Sequence, residues 1–355
     1  MGHRKHNAPR RGSLAFYPRA RHQILVPRVR NWTALTSDRP MLAGYPAFKA
    51  GMIHAITVDD RERTPNFGKS TFNSATVLSL PEITVCGLRA YKRDEGNDFP
   101  FADIYANDLD DIFIERLSLG KSKDRGKTKS VLDGIPSVMN KIVRFSALVG
   151  VLPSDTGLSN AVPQVQEIGI TGPDLKSQFE YLKGILGKKI KTSEFLKPGA
   201  YVDAIGVTKG KGFEGPVTRM GIKRKQHKSR KSVRAVGVIS PWHPATVMYT
   251  VPRAGQMGFH QRLARNNRIL YVGDSRQSPI NPKGGFLHFG EIRGEYVVVR
   301  GSIPGPTKRL VNLRLPLNRR RQKIQVPRII EFNVEGKPIQ PGAMIAAPAF
   351  ESRPK

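Results

Sequence analysis

Apolar and β-branched residues occur in short runs closed by glycine, proline or charge, and few runs are long enough for a helix. The segments GMIHAITVDD (51–60), SATVLSLPEITVCGLRAYKR (74–93), GAYVDAIGVTKGKG (199–212), RILYVGD (268–274) and EYVVVRGSIPG (295–305) are of this kind. They predict strands, and their spacing points to a closed or partly closed barrel rather than alternating strand–helix units. One segment has a different period. After Gly172-Pro173, the residues Leu175, Phe179, Leu182 and Leu186 share one face of a helix predicted over 174–187. Pro173 suits its start and Gly187 its end. A weaker helical pattern covers Leu109 to Leu119. No internal repeat or low-complexity linker stands out.

Composition limits how much of the 355-residue chain can be core. The length would suit two or three domains, but only 39% of residues are hydrophobic, while Gly and Pro supply 34 and 27. Loops and extensions around a moderate core are expected. Cys86 is the single cysteine, which excludes an internal disulfide and a Cys-built zinc site. Among Ile83, Val85 and Leu88 it reads as a small buried hydrophobe rather than a nucleophile. No apolar run approaches the length of a membrane-spanning helix. The start Met1-Gly-His-Arg-Lys-His-Asn lacks the apolar core of a signal peptide, so a soluble intracellular protein is expected.

Charge changes the picture most. Lys and Arg total 59 against 28 acids, a formal net charge of +31. The imbalance is blocky. Gly215 to Gly273 holds twelve Lys and Arg in 59 residues with no acid, Met1 to Ser37 holds eight with none, and Tyr296 to Ile330 holds nine with none. Self-repulsion of this size is tolerable when a polyanion supplies the counter-charge, and nucleic acid is the obvious one. One such block could be a solvated face; three in one chain argue for binding. Asp94 to Glu115 is the opposite, with eight acids and no Lys or Arg, and is expected to face solvent or a basic protein neighbour.

Gly210-Lys-Gly212-Phe-Glu-Gly215 matches the GxGxxG letters of a dinucleotide loop. That function needs a strand before, a helix after, and an acid about twenty residues on. A strand is plausible. Pro216-Val-Thr-Arg-Met-Gly221 lacks helical periodicity, and no acid follows until Asp274. A Walker A loop fails too, because no Gly-Lys-Ser/Thr closes the glycines. The remaining reading is a glycine turn that lets another backbone approach, with Lys209 and Lys211 on phosphates. From Arg219 to Arg234 eight cations and few apolar residues follow, so this stretch builds no core and is expected to order on a polyanion.

Residues 196–219, LKPGAYVDAIGVTKGKGFEGPVTR, carry Asp203, Gly206, Thr208, Gly210, Gly212, Gly215 and Arg219 at offsets that closely resemble the signature of ribosomal protein L three of the large subunit. The segment ISPWHPATVMYTVPRAGQMGFHQR (239–262) resembles the central loop of that family's archaeal and eukaryotic branch. RRGSLAFYPR near the start and GSIPGPTKRLV (301–311) fit as well, and the lean N-terminus favours the archaeal type. The resemblance covers essentially the whole chain.

The resemblance implies a mainly β fold with some α: a six-stranded β-barrel resembling the second domain of translation GTPases. To it are added an α-containing insertion, a long basic central loop and an N-terminal arm. The expected division is an arm over 1–37, barrel strands over 38–214 with an acidic and helical insertion at about 94–190, a central loop over 215–267, further strands and a basic segment over 268–330, and a tail over 331–355. It also implies a non-enzymatic protein without cofactor that binds 23S-type ribosomal RNA early in assembly. The loop tip then approaches the A-site side of the peptidyl-transferase centre. Neighbouring proteins would include L fourteen and L twenty-four-e.

The residues expected at the RNA are Arg4, Lys5, Arg10, Arg11, Arg19 and Arg21 in the arm, and Lys209 and Lys211 at the glycines. In the loop and beyond they are Arg219, Lys223, Arg224, Lys225, His227, Lys228, Arg230, Lys231, Arg234, Trp242, His243, Arg253, Gln256, Arg262 and Arg265. Trp242 lies between Pro241 and Pro244, which suits a stiff finger held out for base stacking; the competing reading is a core tryptophan. His227, His243 and His260 are too far apart in sequence, and too far from any Cys, to suggest a metal site.

Two other functions would share the charge. An RNA-modifying enzyme needs a placed acid, base or nucleophile in its basic groove, and no HExxH, GxSxG or Cys-His-Asn pattern occurs. Of the acids near the glycines, Glu214 stands alone and Asp203 is expected at a strand turn. A DNA-compacting protein cannot be told from an RNA binder by charge; the resemblance decides for RNA.

Overall fold

The computed structural model describes residues 12–32, 39–119, 127–192, 195–229, 232–317, 325–334 and 337–339. The chain divides into two compact units, Met1–Leu25 with Val207–Arg262, and Val26–Gly206 with Leu263–Lys355.

Strands dominate. The chain begins with β1 (Met41–Leu42), β2 (Gly44–Val58), β3 (Ser70–Ser79), β4 (Ile83–Asp94) and β5 (Asn97–Tyr105). Helices α1 (Asp111–Leu117) and α2 (Lys127–Val138) come next, then β6 (Ile142–Val151), β7 (Gln164–Thr171), α3 (Leu175–Ile185), β8 (Lys189–Ile190) and β9 (Tyr201–Val207). The smaller unit holds β10 (Gly210–Glu214), α4 (Pro216–Met220) and β11 (Gly255–Gly258). The last strands are β12 (Gln261–Asp274), β13 (Glu295–Arg300), β14 (Leu310–Arg314), β15 (Ile329–Val334) and β16 (Lys337–Ile339).

In the larger unit six strands pair in a circuit that returns to its start. β2 pairs β3, β3 pairs β13, β13 pairs β12, β12 pairs β9, β9 pairs β14, and β14 pairs β2 again. The length of β2 makes this possible: residues 44–48 pair with β14, while residues 54–57 also receive β15. A second sheet has the order β1-β7-β6-β4-β5, with β8 beside β4. One apolar cluster spans both sheets, from Phe48, Val77, Val298 and Leu313 to Ile83, Phe145 and Ile168. The half-buried Trp32 packs against it, and a Cβ at Gly44 or Gly169 would stand 2.6 or 2.4 Å from its ring. Both positions are therefore glycine because the indole fills the space.

Several expectations change. The stretch 94–190 holds the helices α1, α2 and α3, and it also supplies β5, β6 and β7 of the second sheet, the last two from the β-branched runs IVRFSALVGV and QVQEIGIT. The two foreseen helices form, as α1 and α3, and Phe179 and Leu182 of α3 are buried. The single strand region 74–93 is two strands around a turn at Pro81. Cys86 is buried, and burial pushes its thiol up to about 12, in keeping with an inert core residue.

The acidic stretch is largely exposed, with Asp94, Glu95, Asp108, Asp110, Asp111 and Glu115 at the surface, but part of its charge is met inside the molecule. Asp98 pairs with Arg93 and Arg144, Asp103 with Arg89, and Asp110 with Lys189. Register explains this, since β4 and β5 place Arg89 opposite Asp103 and Arg93 opposite Asp98. Asp203 also departs from its expected strand turn. It sits inside β9, opposite Arg314 of β14, as a buried ion pair at 3.0 Å. Its other oxygen accepts the Asn266 N–H. Among the described residues no helix is long and apolar enough to cross a membrane.

Candidate nucleic-acid interface

The smaller unit contains 18 Lys and Arg and a single acid, Glu214. Every ion pair among the described residues lies in the larger unit, so no described cation of residues 12–25, 207–229 or 232–262 has a carboxylate partner. Charge and pairing are thus segregated between the two units.

The smaller unit is built by strapping the N-terminal segment to the base of the central loop. The His22 N–H donates to Phe259 O at 2.8 Å, and His260 Nδ1 lies 2.9 Å from Ala20 O. Arg19 donates to Arg219 O at 2.9 Å and to Ser13 O at 3.0 Å. Met220 is the one apolar side chain buried in the cationic stretch, covered by Tyr17 and Gly12. Its burial rests on α4, one helical turn at Pro216–Met220, where helical periodicity was absent. Five residues are too few to show a period, and Pro216 at the first turn with Gly221 at φ +67 caps both ends. The helix completes the strand-then-helix context of a dinucleotide loop, but the acid that would hold a ribose is still missing.

Aromatic rings hold the arm's cations. Arg262 lies 4.3 Å over Phe16, Arg21 5.3 Å over Phe259 and Arg19 5.5 Å over Tyr17, while Tyr249 meets Tyr17 edge-on at 6.0 Å. Burial, and then the neighbouring Arg19, push the Arg262 pKa below the usual arginine value. Like charges are gathered here rather than dispersed, which suits an anion spread over several sites.

The signature residues divide by what they do inside the molecule. Asp203 holds Arg314. A Cβ on Gly206 would meet Pro304 O at 2.7 Å. The Thr208 hydroxyl accepts the His260 N–H at 3.1 Å. Gly212 has φ +66, a left-handed conformation that favours glycine. Arg219 turns inward, donating from Nε to Gln256 O and from Nη1 to Arg253 O, so it clamps β11 instead of reaching outward. Gly210 and Gly215 have no such internal reason: both have ordinary φ, with only loose contact at Gly210 and none at Gly215.

The other foreseen residues fall in four groups. Lys209, Lys211, Lys223, Arg224, His227, Lys228, Arg234 and Arg253 are exposed, Lys225 is half-buried, and Trp242 is 88% exposed beside exposed His243, which removes the core reading. Gln256 turns its amide onto Met257 O and Gly258 O. Arg265 is exposed on β12 and belongs to the larger unit. Arg4, Lys5, Arg10, Arg11, Arg230 and Lys231 lie outside the described residues. Arg268, inside the acid-free run, has its counter-charge in Asp60, 208 residues away. Phe213, Phe16 and Tyr249 are also exposed, beyond the residues foreseen; of these only Phe213, within Lys211-Gly212-Phe213-Glu214-Gly215, carries a signal in the sequence, an aromatic ring among glycine and charge with no apolar neighbour. Among the described residues no cluster of three metal-ligating side chains occurs.

A mainly β body and a unit whose described cations lack carboxylate partners are what a polyanion-binding protein needs. The family model for ribosomal protein L3 matches residues 1–335, and the chain belongs to that family. It is 43% identical to large ribosomal subunit protein uL3 of Methanocaldococcus jannaschii over 334 residues, 93% of this chain and 98% of the relative. The uL3 proteins of Methanococcus vannielii and Methanocorpusculum labreanum are 41% and 38% identical, covering 95% and 91% of this chain and 99% and 96% of theirs.

Proposed function

We propose that this chain is a cytoplasmic, non-catalytic constituent of the large ribosomal subunit, of archaeal type, that binds 23S-type ribosomal RNA early in assembly. The observation that carries this is the smaller unit, whose described cations have no carboxylate partner and so call for an external polyanion. In this reading the six-strand circuit is the family's barrel, akin to the second domain of translation GTPases. Residues 1–37 and 215–267 are the arm and loop that enter the RNA, and L fourteen and L twenty-four-e are neighbours on the subunit. Phosphate contacts fix the position of the arm and loop, and RNA shape supplies specificity.

The test is co-sedimentation with large subunits at rising salt, with resistance to stripping expected until about molar concentrations. If ten cations neutralise phosphates, the affinity for isolated ribosomal RNA should fall with a log–log salt slope of roughly 7–9. A slope of roughly one or two would mean that the cations are mostly solvated and the reading is wrong.

Trp242 would mark the tip near the A-site side of the peptidyl-transferase centre. Its exposed indole has little to lose from folding and about 1–3 kcal/mol to gain from stacking on a base. Trp242→Ala is expected to assemble at near-normal yield and to show altered aminoacyl-tRNA binding or altered sensitivity to peptidyl-transferase antibiotics. Unchanged tRNA affinity and drug response in fully assembled ribosomes would remove Trp242 from that role.

A further inference from the structure

Phe213 is 80% exposed, and among the aromatic residues of the described chain only Trp242 is more so. The other exposed rings of the smaller unit are partly occupied: Phe16 carries the Arg262 guanidinium, Tyr249 meets Tyr17, and Trp242 lies 6.4 Å from the His243 ring. Among the described residues no ring or cation lies against Phe213, which leaves its faces open.

Its setting is rigid. Phe213 stands in β10 opposite Gln256 of β11. The Gln256 carbonyl is held by Arg219 Nε at 2.9 Å, and a Cβ on Gly258 would lie 2.1 Å from Lys209 O, so the two strands are pressed together at the other end of the pairing. A bare phenyl ring is therefore held on a fixed two-stranded pedestal rather than on a loose loop. Such pre-organisation lowers the ordering cost of binding. Around the ring the chain is stripped: Gly212 and Gly215 would have open space at Cβ, and Lys209 and Lys211 are exposed.

We infer that Phe213 is a base-stacking anchor, on which an unpaired nucleotide of the bound RNA lays its base while Lys209 and Lys211 take the flanking phosphates. The inference rests on the proposed RNA-binding function and gives the glycine signature a second purpose. Gly210 and Gly215, which nothing inside the molecule requires, leave room for the sugar–phosphate backbone beside the ring. A base is favoured over a protein partner because exposed Lys209 and Lys211 flank the ring, with Glu214 the one acid beside it, and any base offers a π-face to a phenyl ring.

The experiment places a photoreactive phenylalanine analogue at 213, and separately at 224, in full-length protein assembled into large subunits. A crosslink from 213 to a single ribosomal RNA nucleotide is expected. A crosslink from 213 to protein, or none, while 224 still reaches RNA would overturn this inference and leave the proposed function standing; failure of both positions to reach RNA would overturn both. As a second measurement, Phe213→Trp should keep the affinity for ribosomal RNA and Phe213→Leu should lose roughly five- to a hundredfold. An unchanged thermal midpoint is expected for both, since the side chain is solvent-exposed. Equal affinity for the Leu and Trp variants would also overturn the anchor.

Discussion

Arg314→Met is expected to destabilise the protein by about 3–5 kcal/mol, read as a shift in the urea midpoint at unchanged slope. Arg314 and Asp203 side chains are 3% and 2% exposed, and the substitution leaves the Asp203 carboxylate without its cation in that environment. The guanidinium also donates to Asn31 O at 2.6 Å, so the segment entering β1 loses a tether. Its Nε has no partner, which shows that the pair is not fully satisfied even in the native fold. The double variant Asp203→Asn, Arg314→Met is therefore expected to recover much of the loss, because it removes the stranded charge. The Asn266 N–H would still meet an acceptor at residue 203. If the double variant were as unstable as the single one, the cost would lie in packing rather than in charge.

Replacing Lys223, Arg224 and Lys225 together by Glu is expected to abolish incorporation into large subunits while leaving the thermal midpoint of the isolated protein unchanged. The change moves the local charge from three positive to three negative in a unit whose single acid is Glu214. The reversed side chains would repel phosphate. Lys223 and Arg224 are exposed, and the Lys225 backbone N–H to Val233 O bond survives any side chain. The nearest rival, pairing of these cations with the acidic 94–115 stretch, is weakened because Asp98, Asp103 and Asp110 already have partners. Loss of the folded state in this variant would revive that rival, and normal incorporation would show that these cations do not meet RNA.

Much of the fold was legible because strands and amphipathic helices announce themselves locally. The stripe Leu175, Phe179, Leu182, Leu186 became α3 because four residues at that spacing have one face to bury. In the second sheet β4 was legible as part of 74–93, but β5 was not, for a related reason. β5 is an edge strand with exposed Phe99 and Phe101 and paired charges, so its alternation is blurred, and its acids read as a solvated surface. The one-turn helix α4 carries no period at all. Its form depends on Pro216 and Gly221 at its ends and on the cover that Tyr17 and Gly12 give Met220.

The candidate site divides in the same way. That the central segment and the N-terminus are cationic and acid-free is a property of the chain alone, since charge adds up along a sequence whatever its fold. Which cations remain available is not. Arg268 finds Asp60 across 208 residues, Arg314 finds Asp203 across 111, and Arg219 spends its guanidinium on the carbonyls of Arg253 and Gln256. Such pairings come from strand register and chain return, so only the tertiary structure could separate the cations that hold the protein together from those left open. The same holds for Phe213 and Cys86. Both are apolar residues beside β-branched or glycine neighbours, and only the arrangement of distant strands leaves one bare and buries the other.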